Sequence, residues 1–360
     1  MRNKVLLILA LSLITSNPLW ASSATVAPSD LPDQVEKVLP GVMNISSTTV
    51  RNFQVNGMED FMRYWGMPQE QKSTSLGTGF LIDQDGFIIT NNHVVDHATE
   101  VIVTMMDHRQ YRAKIVGTDQ KLDLALLQIR DKDQKVPTNL SPVTMGDSEK
   151  VRIAESVFAV GNPFGLQHTV TAGIISAKNR TIGIGPFDNF LQTDASINPG
   201  NSGGPLFNFK GEVIGINAVI FSKSGQSGGL GFAIPINEAK AILADLKRYG
   251  RVPRPWLGVL GQRITPQLQA YYGLAVDKGV IISNLVQDAP AFEAGIKVGD
   301  IISKVDTVSI EEPNDLERLL NKHKPTENVT IQIRRGKKSL DLKFKLEELP
   351  KLDRLPAGII

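Results

Sequence analysis

The stretch Asp194-Ala-Ser-Ile-Asn-Pro-Gly-Asn-Ser-Gly-Gly-Pro-Leu206 decides how the rest of this 360-residue chain is read. Ser202 stands in it among Gly200, Gly203 and Gly204. A serine hydroxyl attacks a carbonyl only where the substrate comes close and the resulting oxyanion meets backbone N–H donors, so neighbouring side chains must be minimal. A bare Gly-x-Ser-x-Gly is equally compatible with a glycine-rich turn between strands, and partners elsewhere have to decide.

Two partners are present. His93 lies in Ile-Ile-Thr-Asn-Asn-His-Val-Val, where an apolar run ends in a polar turn, a place that puts an imidazole at the mouth of a cleft. Asp123 lies in Leu-Asp-Leu-Ala-Leu-Leu. On a strand it would share a face with Ala125 and Leu127, which predicts a carboxylate shielded from water and in need of a partner. Set behind His93, it would fix the tautomer whose other ring nitrogen takes the proton of Ser202.

The order His, Asp, Ser is that of the chymotrypsin arrangement, whereas an α/β-hydrolase elbow needs its acid and histidine after the serine. Only His323 follows Ser202, and Pro205 with the strand-like Leu-Phe-Asn-Phe comes where an elbow would enter a helix. These residues exclude the elbow. They make Ser202 the nucleophile, His93 the general base and Asp123 its orienter, with the N–H groups of Gly200 and Ser202 as the oxyanion hole.

Composition narrows the field further. A chain with 41% hydrophobic residues can hold two or three domains with proper cores. The net charge is only +2 and no basic stripe carries interleaved aromatics, so a nucleic-acid partner is not expected. The absence of cysteine removes a thiol nucleophile, a disulfide framework and a thiolate metal site together. No metal or cofactor is predicted: His93 and His97 stand four apart but lack a third ligand, and Asp83-Gln84-Asp85-Gly86 is a turn without the later ligands of a calcium loop. Arg2 and Lys4, the apolar run Val5 to Ile14 and the small residues Ala21 to Ala24 predict a secretory signal over 1–24. That run is shorter than the ~20 residues of a spanning helix, so no integral anchor is expected.

From Leu31 a short helix leads into a strand, and residues 50–75 form a polar loop with an apolar knot at Phe61, Met62, Tyr64, Trp65 and Met67. Short apolar runs separated by turns then recur (79–82, 87–90, 100–105, 113–116, 123–129), and again at 151–160, 169–177, 213–221 and 230–234. They predict two antiparallel barrels with the three catalytic candidates at the seam. Asn237 is placed to cap a helix whose stripe is Ala239, Ile242, Leu243 and Leu246, ended by Gly250. Prolines stiffen the connector 251–255, and a second unit begins at Trp256.

With these residues in view, the chain resembles the HtrA family of serine endopeptidases, the Deg proteases, from about Leu31 to about Leu346. The resemblance is carried by Gly-Thr-Gly-Phe-Leu-Ile-Asp (77–83), Thr-Asn-Asn-His-Val-Val, Asp-Leu-Ala-Leu-Leu, Val-Gly-Asn-Pro-Phe-Gly (160–165), Gly-Asn-Ser-Gly-Gly-Pro-Leu and Gly-Phe-Ala-Ile-Pro (231–235). Their joint order makes it specific. It implies a mostly β chain: a chymotrypsin-like double-barrel protease domain over 31–250, then a small α+β PDZ domain over 256–347 and a tail over 348–360.

By the same resemblance, Trp256-Leu257-Gly258-Val259 is the loop that captures a C-terminal carboxylate. The activity it implies is ATP-independent cleavage of unfolded proteins by a homotrimer, exported to the periplasm. Asn201 replaces the acid that pairs with a new N-terminus in trypsin-like zymogens, so the implied switch is the ordering of loops, with Arg180 at the family's sensor position. Ser196 stands where trypsins hold the acid that selects Lys or Arg, while Ile197 and Ile220 match pocket positions; together they imply cleavage after small aliphatic residues. The competing expectation is a chaperone or PDZ binding module whose protease site is vestigial.

Overall fold

Strand pairing closes the chain on itself twice. The computed structural model describes residues 30–52, 70–130, 133, 135–161, 169–182, 189–220 and 229–350. The apolar knot at 61–67 and the signal segment lie outside the described residues. After the helix Leu31–Val38 and a 3-10 turn, the first barrel comprises β1 (Val42–Asn52), β2 (Glu70–Leu81), β3 (Phe87–Thr90), β4 (Glu100–Thr104), β5 (Gln110–Asp119) and β6 (Leu124–Arg130). Its order is β1-β2-β3-β6-β5-β4, closed by β4 on β1. The predicted turn at 83–86 forms as read: Asp83 Oδ1 accepts the N–H of Asp85 at 3.1 Å and of Phe87 at 3.2 Å, and Gly86 takes φ 78°.

The second barrel comprises β8 (Ser156–Gly161), β9 (Thr169–Arg180), β10 (Phe190–Thr193), β11 (Pro205–Asn208), β12 (Glu212–Ile220) and β13 (Gly231–Pro235), with β7 (Thr144–Met145) parallel at the edge of β12. Pairing of β11 with both β8 and β12 closes the ring. Alternating inward residues fill each barrel: Ile45, Leu81, Ile88 and Leu127 in the first, Val157, Leu206 and Ile214 in the second. A larger cluster joins Phe80, Ile89, Leu124 and Leu126 of the first to Phe158, Val160, Phe207 and Ile216 of the second. Phe158 stacks on Phe207 with centroids 5.1 Å apart. Apolar packing along this seam fixes one barrel against the other, which any site drawing residues from both requires.

The helix Ile236–Tyr249 buries Ile236, Ala239, Ile242 and Leu246 on that seam and ends at Gly250, left-handed at φ 71°. The expectation that Asn237 caps it is corrected: the cap position is Pro235, two residues earlier, and the helix starts at Ile236. Asn237 instead donates from Nδ2 to Asp147 Oδ1 at 2.8 Å, and its N–H donates to Ser148 Oγ at 3.2 Å, so it fastens the first turn to the 3-10 segment Ser148–Lys150.

The connector leads to β14 (Pro255–Trp256), then β15 (Val259–Arg263), β16 (Val280–Leu285), β17 (Ile301–Val305), β18 (Val308–Ser309), β19 (Asn328–Arg335), β20 (Lys338–Lys345) and β21 (Glu347–Glu348). The main sheet runs β15-β16-β17-β19-β20, and the helix Pro313–Leu320 turns Leu316 and Leu320 into its core. β21 pairs back on β14, so the chain after β20 returns to the connector. The connector is also tied sideways. Arg254, 8% exposed, is ion-paired with Asp119, 6% exposed, at the end of β5, and Lys121 pairs with Glu317.

Candidate active site

β3 stops at Thr90, and the four-residue helix Asn92–Val95 carries His93 out of the first barrel. Asp123 immediately precedes β6. Its carbonyl accepts from Asn92 N at 3.0 Å and from Asn91 Nδ2 at 2.9 Å. Its carboxylate accepts from His93 N at 2.9 Å through Oδ1 and meets His93 Nδ1 at 2.6 Å through Oδ2. Since an ionised carboxylate only accepts, Nδ1 carries the hydrogen, and in the neutral ring Nε2 keeps the lone pair.

The predicted environment of Asp123 needs correction. The residue is not on the strand: it closes a turn through Asp123 N to Gln120 O at 3.3 Å and adopts φ 52°. Its side chain is 35% exposed, beside a His93 side chain at 51%. The carboxylate is therefore held by hydrogen bonds from His93 more than by burial.

Across the seam, Asn198-Pro199-Gly200-Asn201 closes a turn with Asn201 N donating to Asn198 O at 2.9 Å and Gly200 at φ 102°, the sign a type II turn demands at its third residue. Gly204 N donates to Asn201 O at 2.9 Å and Gly203 N to Asn217 O at 2.8 Å. The N–H groups of Gly200 and Ser202 have no acceptor among the described residues. Gly203 is obligatory for two reasons: φ is 80°, and a Cβ would lie 2.2 Å from Thr90 Oγ1 and 2.4 Å from Thr78 O. Ser202 Oγ donates to Ala218 O at 3.4 Å.

Comparison with known proteins places the chain in a family. The trypsin-like peptidase domain matches residues 77–216 and the PDZ domain residues 258–346. A probable periplasmic serine endoprotease, DegP-like, of Marinomonas sp. (strain MWYL1) is 40% identical over 363 residues, covering 94% of this chain and 76% of that protein. Its namesake in Pseudomonas putida (strain GB-1) is 40% identical over 350 residues, covering 91% and 72%. This chain belongs to the HtrA/DegP-like serine endoproteases. Among solved structures, the HtrA-type protease AlgW with a decapeptide superposes with a TM-score of 0.76 at 34% identity over 89% of this chain and 99% of that one. A serine endoprotease from Yersinia pestis gives 0.69 at 32% identity over 90% and 100%.

The other residues singled out in the sequence of this HtrA protease are distributed as follows. Ile197 is 1% exposed in the second-barrel core, where a Cβ on Gly231 would meet its Cγ1 at 2.7 Å. Ile220 ends β12, with its side chain outside the described residues. Ser196 is exposed, and its carbonyl accepts from Thr171 Oγ1 at 2.9 Å. Arg180 ends β9, exposed, with Nε donating to Gln192 Oε1 at 2.9 Å; no hydrogen bond links it to residues 198–204 among the described residues. His97 lies past the end of its helix at φ 54° and pairs with Asp96, so it shares no face with His93.

In the PDZ domain, Trp256, Leu257 and Val259 are buried, and Gly258 at φ 78° lies so close to Ala289 that a Cβ would sit 2.1 Å from it. The carbonyls of Leu257 and Gly258 accept from Ala291 N at 2.9 Å and Val286 N at 2.8 Å. The N–H groups of Leu257 and Gly258 are without an acceptor among the described residues. A loop whose carbonyls are engaged and whose N–H groups are not is electropositive toward an incoming carboxylate.

Thr78 was not singled out. Its one signal was its place inside Gly77-Thr78-Gly79, part of the motif that carried the resemblance. It is wholly buried, its N–H donates to Ser202 O at 2.9 Å, its Oγ1 donates to Gly200 O at 2.6 Å, and its carbonyl accepts from Thr90 Oγ1 at 2.7 Å.

Proposed function

We propose that this HtrA protease cleaves unfolded exported polypeptides through an acyl-enzyme on Ser202. The observation that carries the reading is the commitment of His93 Nδ1 to Asp123, which leaves Nε2 as base, together with the N–H groups of Gly200 and Ser202, which have no acceptor among the described residues. Nε2 takes the proton of Ser202 as Oγ bonds to the scissile carbonyl carbon, and the oxyanion is received by the N–H groups of Gly200 and Ser202. The C–N bond then breaks as the imidazolium returns that proton to the leaving amine. Water, deprotonated by the same imidazole, releases the acyl group. No cofactor or ATP enters these steps.

The finer reading extends to specificity, regulation and address. Ile197 and Ile220 favour small aliphatic residues on the acyl side, since Ser196 offers no charge to a basic one. The loop 256–259 binds C-terminal peptides, and Arg180 takes part in ordering the loops around the site. We read 1–24 as a removed signal, 31–250 as the protease, 251–255 as the connector, 256–347 as the PDZ domain and 348–360 as a tail, the active form being a periplasmic homotrimer. Among the described residues no helix is long and apolar enough to cross a membrane.

Digestion of unfolded casein, with fluorophosphonate labelling read out by peptide mapping, tests the chemistry. Ser202→Ala is expected to lose about 10⁶ in kcat and all labelling. Wild-type turnover in that variant, or a label on another residue, would refute the assignment, and an inert wild-type protein would favour a vestigial site.

A further inference from the structure

An oxyanion hole works only if its donors are held within fractions of an ångström of where the charge develops. Here the donors sit on a loop with two left-handed glycines, at φ 102° for Gly200 and 80° for Gly203, a backbone with little intrinsic stiffness. The ladder between β2 and β3 starts at Phe80↔Ile89, so Thr78, two residues before it on β2, faces the nucleophile loop of the other barrel. Its N–H holds the carbonyl of Ser202 and its hydroxyl holds the carbonyl of Gly200. Both donor-bearing residues are thus gripped by one fully buried residue. The Thr78 carbonyl is held in turn by Thr90, three positions before His93.

We propose that Thr78 is a positioning residue whose hydroxyl sets the oxyanion hole, by fixing Gly200 in register with Ser202 across the seam between the barrels. It touches no reacting atom. The hydroxyl is the separable part of the grip, because the bond from Thr78 N to Ser202 O survives any side-chain substitution other than proline. Valine at 78 keeps the shape and the strand preference, yet leaves the carbonyl of buried Gly200 without that donor. The inference rests on the reading of Ser202 as nucleophile with Gly200 and Ser202 as donors.

The test compares the full chain with its Thr78→Val and Thr78→Ser variants on a short reporter peptide, with a peptide boronic acid as probe of the tetrahedral state and fluorophosphonate labelling as probe of Ser202. Thr78→Val is expected to lower kcat roughly 10- to 100-fold, less than the 10²–10³ that follows loss of a donor itself, with KM changed by less than about twofold. Boronate affinity falls by the same factor as kcat/KM, and Thr78→Ser recovers most of both. An unchanged kcat in Thr78→Val, a loss confined to KM, or equal losses in Val and Ser variants would overturn the proposal. Should Thr78→Val not fold, as judged by circular dichroism, Thr78→Ala takes its place; if neither folds, Thr78 serves the fold and the proposal is wrong. Wild-type protein that takes no label on Ser202 refutes the underlying reading instead, whereas labelled wild type with an indifferent Thr78→Val refutes only this inference.

Discussion

Gly200 keeps a backbone conformation, φ 102°, that costs an L-residue about 1–2 kcal/mol and is free to glycine. Gly200→Ala therefore biases the 198–201 turn toward the form with negative φ at its third residue, which rotates the peptide carrying the Gly200 N–H. In the proposed mechanism that N–H is used only when the oxyanion forms, so kcat is expected to fall at least about tenfold with KM little altered, as steady-state kinetics on a short peptide would record. A rise in KM with kcat unchanged would show instead that the turn shapes substrate binding. The candidates at this scale were legible because the proposed chemistry restricts them: a serine among glycines, an imidazole, an acid, in one order. The conformations were less so. Asp123 reads as a strand residue because apolar neighbours flank it, and nothing in its type announces the left-handed turn closed by Gln120 O at 3.3 Å. Thr78 was missed for a similar reason, since threonine is what a strand favours anyway and its partners lie 122 and 124 positions away.

At the scale of elements, the strands followed from apolar runs between turn residues, and the helix Ile236–Tyr249 from its stripe and its terminal glycine. Its first turn did not. Asn is a capping residue by type, but here its amide finds a better partner in Asp147, a carboxylate 90 residues earlier in the chain. The hydrogen bond from Asn237 leads the causes that hold the Asp147 carboxyl below the usual carboxylate range, followed by Lys150 and the Glu149 N–H. A carboxyl whose folded value is lowered contributes stability that is complete above its unfolded value and is lost as pH falls through the folded one. Asp147→Ala is thus expected to lower the melting temperature slightly and constantly at neutral pH, with the gap to wild type closing below about pH 4. A gap that persists at low pH would assign the effect to helix packing and not to the charged form of Asp147.

For the whole molecule, the contacts between the two domains lead to the turn that presents Asp123. The helix Pro313–Leu320, which carries two of the PDZ core leucines, bears Glu317, ion-paired with Lys121, and is followed by Asn321, whose Oδ1 accepts from Arg254 Nη1 at 3.3 Å. Arg254 is paired in turn with Asp119, and Asp119 Oδ1 accepts from Lys121 N at 2.9 Å and Leu122 N at 3.4 Å, just before Asp123. Pairs spanning 135 and 196 residues leave no trace in sequence periodicity, so this link was invisible where the domains themselves were plain. Its consequence is testable. If the loop 256–259 takes a peptide with a free C-terminal carboxylate, as proposed, and this chain of contacts couples it to the turn that presents Asp123, that peptide is expected to raise turnover of a reporter too short to bridge the domains. Arg254→Leu leaves Asp119 buried without its guanidinium, at a cost of about 3–5 kcal/mol to domain docking or folding, and should speed amide exchange at Lys121 and Leu122. Glu317→Gln is the milder break. In either variant the peptide should still bind, as titration calorimetry would show, while its effect on the reporter disappears. If the effect survives both substitutions but is lost in Arg180→Ala, the coupling runs through the loop at the end of β9; if the peptide leaves wild-type reporter turnover unchanged, the PDZ domain acts on the protease only by tethering its substrate.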